Sequence, residues 1–113
     1  MSADASVFRA LADSTRRSIL DRLLAGEKTV SELISGVLRR STRMTQSAFS
    51  QHLAVLWRAG LVSVRRDGRE RRYSVRAQPL LEVAEWVMRY DRFWTRKLKT
   101  LGQYLEGKQR ARS

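Results

Sequence analysis

The sequence contains no cysteine, a single histidine and a single proline among its 113 residues. Without cysteine there is no disulfide scaffold, no thiolate metal site and no cysteine redox chemistry. One histidine leaves too few ligands for a zinc site of the usual His/Cys kind. No apolar run approaches the length that spans a membrane, and Met1 to Ser6 lack the pattern of a secretion signal, so the expected compartment is the cytoplasm. Acidic residues are scarce as well: 11 Asp and Glu stand against 23 Lys and Arg, a net charge of +12, and 19 of the cations are arginine. The planar, permanently charged guanidinium suits phosphates and base edges, which points to a polyanionic partner. At 42% hydrophobic residues, recurring along the whole chain, the composition is that of one folded domain and not of a basic tail.

The charge is concentrated. Between Arg39 and Arg76 stand ten arginines against Asp67 and Glu70, a local excess of +8. The flanks are close to balanced, apart from the short tail of Lys108, Arg110 and Arg112. A solvated surface is the plainest account of any such cluster, but this one coincides with two elements of definite geometry.

Val7, Phe8 and Leu11 fall at helical spacing in a short first helix, Ala5 to Ala12. Asp13 is placed to cap a second helix, which carries Ile19, Leu20, Leu23 and Leu24 and ends at Gly26. Thr29-Val30-Ser31-Glu32 has the form of a capping box and opens a third helix with Leu33, Ile34 and Val37 on its apolar side. Gly36 to Met44 is a polar, arginine-bearing connection. Thr45 then caps a fourth helix whose apolar face is Phe49, Leu53, Leu56 and Trp57, closed by Gly60. Its opposite face is Gln46, Ser47, Ser50, Gln51 and Arg58. A plain surface helix favours Glu and Lys; short uncharged polar groups suit a helix lying in a major groove, where donors and acceptors are needed without bulk.

Leu61 to Arg66 alternates as a strand, Asp67-Gly68 signals a hairpin, and Arg71 to Val75 returns. Arg65, Arg66, Arg69, Arg71 and Arg72 crowd the tip of this wing, more cations than the protection of an exposed edge requires. Pro79 suits the first turn of a final helix that is predicted to reach Glu106, about 42 Å long. Leu80, Ala84, Val87, Asp91, Trp94, Leu98, Leu101 and Leu105 follow a four-three repeat with one polar break at Asp91, and Val83, Trp86, Tyr90 and Phe93 form a second stripe. So broad an apolar surface exceeds what the small remaining domain can cover, which implies a dimer interface.

No residue pattern supports catalysis. His52 has neither a nucleophile nor an orienting carboxylate in a recognisable arrangement, and is read as a structural or phosphate-facing donor. Glu82, Glu85 and Asp91 could ligate an oxygen-preferring cation, but beside Arg89 and Arg92 they read as solvated or paired acids. Gly26, Gly36, Gly60 and Gly68 are explained by turns and caps, with no phosphate-cradling loop. No enzyme activity, cofactor or metal is expected. Trp86, Tyr90, Phe93 and Trp94 could line an effector pocket, but aromatic stripes at helical spacing more commonly pack, so a small-molecule effector has no support from the residues.

Four stretches together carry a family resemblance: Phe8-Arg9-Ala10-Leu11-Ala12-Asp13-Ser14-Thr15-Arg16-Arg17, Ser50-Gln51-His52-Leu53, Ala59-Gly60-Leu61-Val62 and Arg69-Glu70-Arg71-Arg72-Tyr73. In order and spacing the chain resembles ArsR/SmtB-type winged helix-turn-helix repressors, from Val7 to Leu105. The expected fold is then α+β and mostly α, a winged helix-turn-helix of order α-α-α-α-β-β-α forming one domain over 1–113. Its ends (1–5 and 107–113) are read as flexible and 79–106 as a long C-terminal dimerisation helix. The resemblance implies a cytoplasmic homodimer that binds double-stranded DNA at a palindromic operator and represses transcription. Gln46, Ser47, Ser50 and Gln51 would face base edges. Thr45, His52, Arg58, Arg65, Arg66, Arg69, Arg71 and Arg72 would face the backbone or minor groove. The dimer interface would draw on Val7, Phe8, Leu11, Leu80, Ala84, Val87, Trp94, Leu98, Leu101 and Leu105.

Two departures from the family pattern matter. Metal-sensing members carry a cysteine pair in the third helix, where this chain has Thr29-Val30-Ser31-Glu32-Leu33-Ile34, or Asp and His ligands on the final helix, which here has no histidine. The chain is more similar to cysteine-free members with an aromatic final helix, which act as repressors without a known metal. The Gly36 to Met44 connection is also longer than the three or four residues usual for the motif. Two alternatives use the same features: a sequence-independent DNA-compacting protein, and a protein-interaction module built on the long final helix.

Overall fold

Three helix starts in this chain follow from side chains that satisfy otherwise free backbone N–H groups. Asp13, itself extended, accepts from the N–H of Thr15 at 2.8 Å and of Arg16 at 3.2 Å, and so starts α2 (Ser14–Leu23) behind α1 (Ala5–Leu11). The Thr29/Glu32 box forms in both directions. Glu32 N–H donates to Thr29 Oγ1 and Thr29 N–H donates to Glu32 Oε1, each at 3.2 Å, and α3 (Val30–Val37) follows. Thr45 Oγ1 accepts from Ala48 N–H at 3.1 Å and starts α4 (Gln46–Arg58). The structure, a computed structural model, describes residues 5–37 and 44–112. Most of the predicted Gly36 to Met44 connection, with Arg39, Arg40 and Arg43, lies outside the described residues; Gly36 and Val37 are the last two residues of α3.

The end of α4 sets the direction of the wing. Gly60 takes φ +78°, its N–H reaches Trp57 O at 3.0 Å and Leu61 N–H reaches Leu56 O at 3.0 Å. This is a Schellman closure, with Leu56 and Leu61, both fully buried, in the apolar positions that accompany it. The chain passes at once into β2 (Val62–Asp67), turns through Gly68 and Arg69, and returns as β3 (Glu70–Val75). Of the two loop residues only Gly68 has a positive φ (+64°), the pattern of a type II′ hairpin with glycine at its first position. A two-residue strand absent from the expected order, β1 (Lys28–Thr29), pairs antiparallel with β3 and completes a sheet of order β1-β3-β2.

Beneath these elements lies a core of Val7, Ala10, Ile19, Leu20, Leu23, Leu33, Phe49, Leu53, Leu56, Leu61 and Val62. Each large member contributes about 1.5–3 kcal/mol on burial. Val7 therefore belongs to the chain's own core, 3% exposed, and not to an exposed dimer surface as expected. Trp57, expected on the apolar face of its helix, is 56% exposed.

The single helix expected over 79–106 is two helices, α5 (Ala77–Met88) and α6 (Asp91–Arg112). The last turn of α5 tightens: Arg89 N–H bonds Trp86 O at 3.2 Å and Tyr90 N–H bonds Val87 O at 3.1 Å, three residues back instead of four. Asp91, the polar break in the apolar repeat, is the first residue of α6, where a carboxylate complements the positive helix end. The described order is thus α-α-β-α-α-β-β-α-α. Pro79 lies in the first turn of α5, as expected, while residues 107–112 continue α6.

Candidate nucleic-acid interface

Phe49, Leu53 and Leu56 anchor α4 in the core, so its other side is turned outward by geometry alone. Gln46, Ser47, Ser50, Gln51 and Arg58 are all exposed there, as the sequence suggested. Thr45 is exposed too, with its hydroxyl engaged as the helix cap. The first two turns of α4 thus present amides and hydroxyls with no carboxylate among them, a surface able to donate to and accept from base edges.

His52, expected as either a structural or a phosphate-facing group, takes the structural place. It is half-buried, and its Nδ1 lies 3.2 Å from Arg16 Nη1 and 3.9 Å from Asp13 Oδ1. A guanidinium can only donate, so in this contact Nδ1 acts as the acceptor when the ring is neutral. Arg16 also donates from Nε to Ala10 O at 2.7 Å and from Nη2 to Arg9 O at 2.9 Å. One side chain of α2 therefore joins the end of α1 to the middle of α4. Burial raises the Asp13 carboxyl, but the Arg16 N–H, the neighbouring His52, the Thr15 N–H and the Arg16 charge outweigh it and hold Asp13 below the usual aspartate range.

The wing sorts its arginines by face. On one face Ser63 and Ser74 hydrogen-bond at 2.8 Å, and next to them Arg65 and Arg72 stand opposite each other. Both are matched with acids. Arg65 makes a two-pronged pair with Glu27, 2.7 Å on each side, and Arg72 reaches Asp67 at 2.9 Å and Glu70 at 3.5 Å. The hydrogen bonds from Arg65 hold Glu27 below the usual carboxylate range. The other face carries Val62, Val64 and Arg66 opposite Val75, Tyr73 and Arg71. It turns toward α4, since Val64, Arg71 and Tyr73 share a cavity with Ser50, Leu53 and Trp57. Arg66 and Arg71 are exposed and directly opposite, and among the described residues neither has an acidic partner, nor has Arg69 at the tip. Opposed like charges destabilise a strand pair unless an anion joins them. The expected phosphate-facing set of five thus divides into two internally paired arginines and three free ones. Spacing in the sequence could not make that division, because Glu27 is 38 residues from Arg65.

A second exposed surface is aromatic. Phe8 meets Trp86 edge-on with centroids 5.5 Å apart, Trp86 meets Tyr90 at 5.6 Å, and Phe93 meets Trp94 at 5.6 Å. Of the expected interface residues, Phe8, Ala84, Trp94, Leu98, Leu101 and Leu105 are exposed and Leu11, Leu80 and Val87 half-buried. Trp86 and Tyr90 join them from the neighbouring stripe. Among the described residues no three His, Cys, Asp or Glu side chains gather in one place, and no helix is long and apolar enough to cross a membrane.

A core of four helices whose last is polar outward, followed by a cationic hairpin, defines a winged helix-turn-helix DNA-binding domain. The chain belongs to the ArsR family of bacterial regulatory proteins, whose profile matches residues 13–64. It is 38% identical over 99 residues to the HTH-type transcriptional regulator Rv2034 of Mycobacterium tuberculosis, covering 88% of this chain and 85% of that one. It is 44% identical over 84 residues to the probable mercury resistance operon repressor of Streptomyces lividans, covering 74% and 61%. Among solved structures, the ArsR-like transcriptional regulator from Rhodococcus sp. RHA1 superposes with a TM-score of 0.66 at 34% identity, covering 91% of this chain and 90% of that one. The protein is a DNA-binding transcriptional regulator and not an enzyme.

Proposed function

We propose that the protein is a homodimeric, cytoplasmic repressor that binds a palindromic operator. The first two turns of α4 enter the major groove, where Gln46, Ser47, Ser50 and Gln51 read base edges. Arg66, Arg69 and Arg71 meet phosphates or the adjacent minor groove, with Thr45 and Arg58 at the backbone. Arg65 and Arg72 stiffen the wing through their acid partners instead. The supporting observation is the sorting of the wing: arginines on its far face are neutralised within the chain, whereas those on the α4 side stand without acids beside an uncharged polar helix face. The dimer is formed by the aromatic and aliphatic surface of α1, α5 and α6.

The mercury in the name of the Streptomyces relative is not part of this proposal. A soft metal is held by thiolates, and this chain has no cysteine. Selection of bound DNA from a random pool tests the reading. It should enrich an inverted repeat with half-site centres about 34–36 Å apart, one helical turn. Binding to random duplex as tight as to the enriched sequence would indicate a compacting protein instead. Replacing Arg69 and Arg71 together with alanine should weaken binding to both DNAs and flatten the salt dependence by about 0.9 in log–log slope per lost phosphate contact. An unchanged slope would remove the wing from the interface.

A further inference from the structure

Between α4 and the sheet lies a cavity of about 390 Å³, within the size range of small-molecule sites, about 300–1,000 Å³. Leu53 and Trp57 form its wall on α4, Val64 and Tyr73 its wall on the sheet, and Val30 at the start of α3 borders it. Arg71 lines it as well, the single charged side chain among its lining residues. Trp57 leaves 56% of its surface uncovered beside this apolar concavity. DNA phosphates do not explain that arrangement, because hydrated oxygens gain nothing from aliphatic and aromatic walls.

We infer that the cavity binds a planar aromatic monocarboxylate, with its rings between Trp57 and Tyr73 and its carboxylate on the Arg71 fork. A guanidinium matches the two oxygens of a carboxylate in one plane. A tetrahedral phosphate placed there would turn its remaining oxygens onto the apolar walls. Ser50, on the same stripe of α4, leaves a hydroxyl at the cavity's edge. Occupancy draws Arg71 away from DNA and fills the space beside Ser50, so the ligand opposes DNA binding. This last step rests on the function proposed above, whereas the site itself does not.

The full chain labelled with 5-fluorotryptophan gives a direct reading, since its three tryptophans are Trp57, Trp86 and Trp94. On titration with 1-naphthoate, the fluorine resonance of Trp57 should move and saturate. Uncharged 1-naphthylmethanol should bind more weakly by about tenfold or more, the difference a charge-assisted hydrogen bond makes. R71Q should erase that preference for charge and R71K retain part of it, with a thermal midpoint no lower than that of the parent protein, because Arg71 is exposed and stands opposite the like charge of Arg66. A Trp57 signal that never saturates, larger movements at Trp86 and Trp94, or full naphthoate affinity in R71Q would each overturn the site. Saturating naphthoate should also weaken binding to DNA by about tenfold or more. Unaltered DNA affinity with Trp57 saturated would overturn the antagonism while leaving the proposed function standing. A chain that binds no DNA even without naphthoate would defeat that function instead, and the fluorine titration would still decide the site.

Discussion

At Arg16 one guanidinium holds three helices in register: it belongs to α2, donates to carbonyls at the end of α1, and donates to His52 in α4. The sequence displays Arg16 and His52 but not their meeting, so His52 looked as suited to a phosphate as to the interior. Asp13 was legible, because a cap acts on the N–H groups two and three residues ahead. Its lowered titration has a consequence for stability. A carboxyl lowered in the folded state stabilises the fold fully above its unfolded value, near about 3.9, and loses that contribution as pH falls through the folded value. Stability should therefore drop on acidification below about pH 4. In Asp13→Asn, which keeps a capping oxygen but does not titrate, the drop should be smaller, with Glu27 and Glu32 still contributing theirs. Urea unfolding across the pH series checks this; parallel curves for the two proteins would show Asp13 to be unlinked to folding. At the DNA-facing surface, Gln51→Ala should cost about 1–3 kcal/mol of discrimination between operator and random duplex if the amide makes a two-pronged base contact. Equal losses on both duplexes would deny it a reading role.

Among the elements, α4 was the most completely readable, from Thr45 through the buried Phe49, Leu53 and Leu56 to Gly60. Each signal there lies within one or two turns of the residue it governs. The two-residue β1 had no such signal, because a strand that short has no periodicity and exists only by pairing with β3, more than 40 residues along the chain. The split between α5 and α6 involves neither proline nor glycine, and its one trace in the sequence is Asp91 interrupting the apolar repeat. Gly60 offers the sharpest test of how α4 passes to the wing. At φ +78° a side chain is strained, so Gly60→Ala should lower unfolding free energy by about 1–2 kcal/mol in a denaturant titration. No change would mean that the closure can form with a different backbone at that position.

The whole molecule is more extended than its core requires. Its radius of gyration is 18.2 Å against about 13 Å for a compact domain of this size, and its longest dimension is 57 Å. The excess comes with α6, where Phe93, Trp94, Leu98, Leu101, Tyr104 and Leu105 are all at least 44% exposed. Apolar surface on that scale is stable in water when a second copy covers it. Sedimentation should give twice the 13.1 kDa of the chain. Leu98→Asp combined with Leu101→Asp should give a folded monomer with the same wing and a large loss of affinity for a two-half-site operator. A wild-type monomer at micromolar concentration would end the symmetric-operator argument.

Composition, caps and periodicity by themselves determined that this is a small, basic, cysteine-free chain of helices with a cationic hairpin, and which face of α4 is polar; the winged helix-turn-helix was what the resemblance of its motifs implied. Those features depend on near neighbours along the chain or on simple counts, and they are settled wherever the rest of the protein lies. Only the tertiary structure decided which arginines remain free for an anion, that His52 faces inward to Arg16, that Val7 belongs to the core, and that a concavity lies between α4 and the sheet. Each of those depends on groups brought together from distant parts of the chain, as with Arg16 and His52, 36 residues apart, whose attraction acts only once the helices between them have packed.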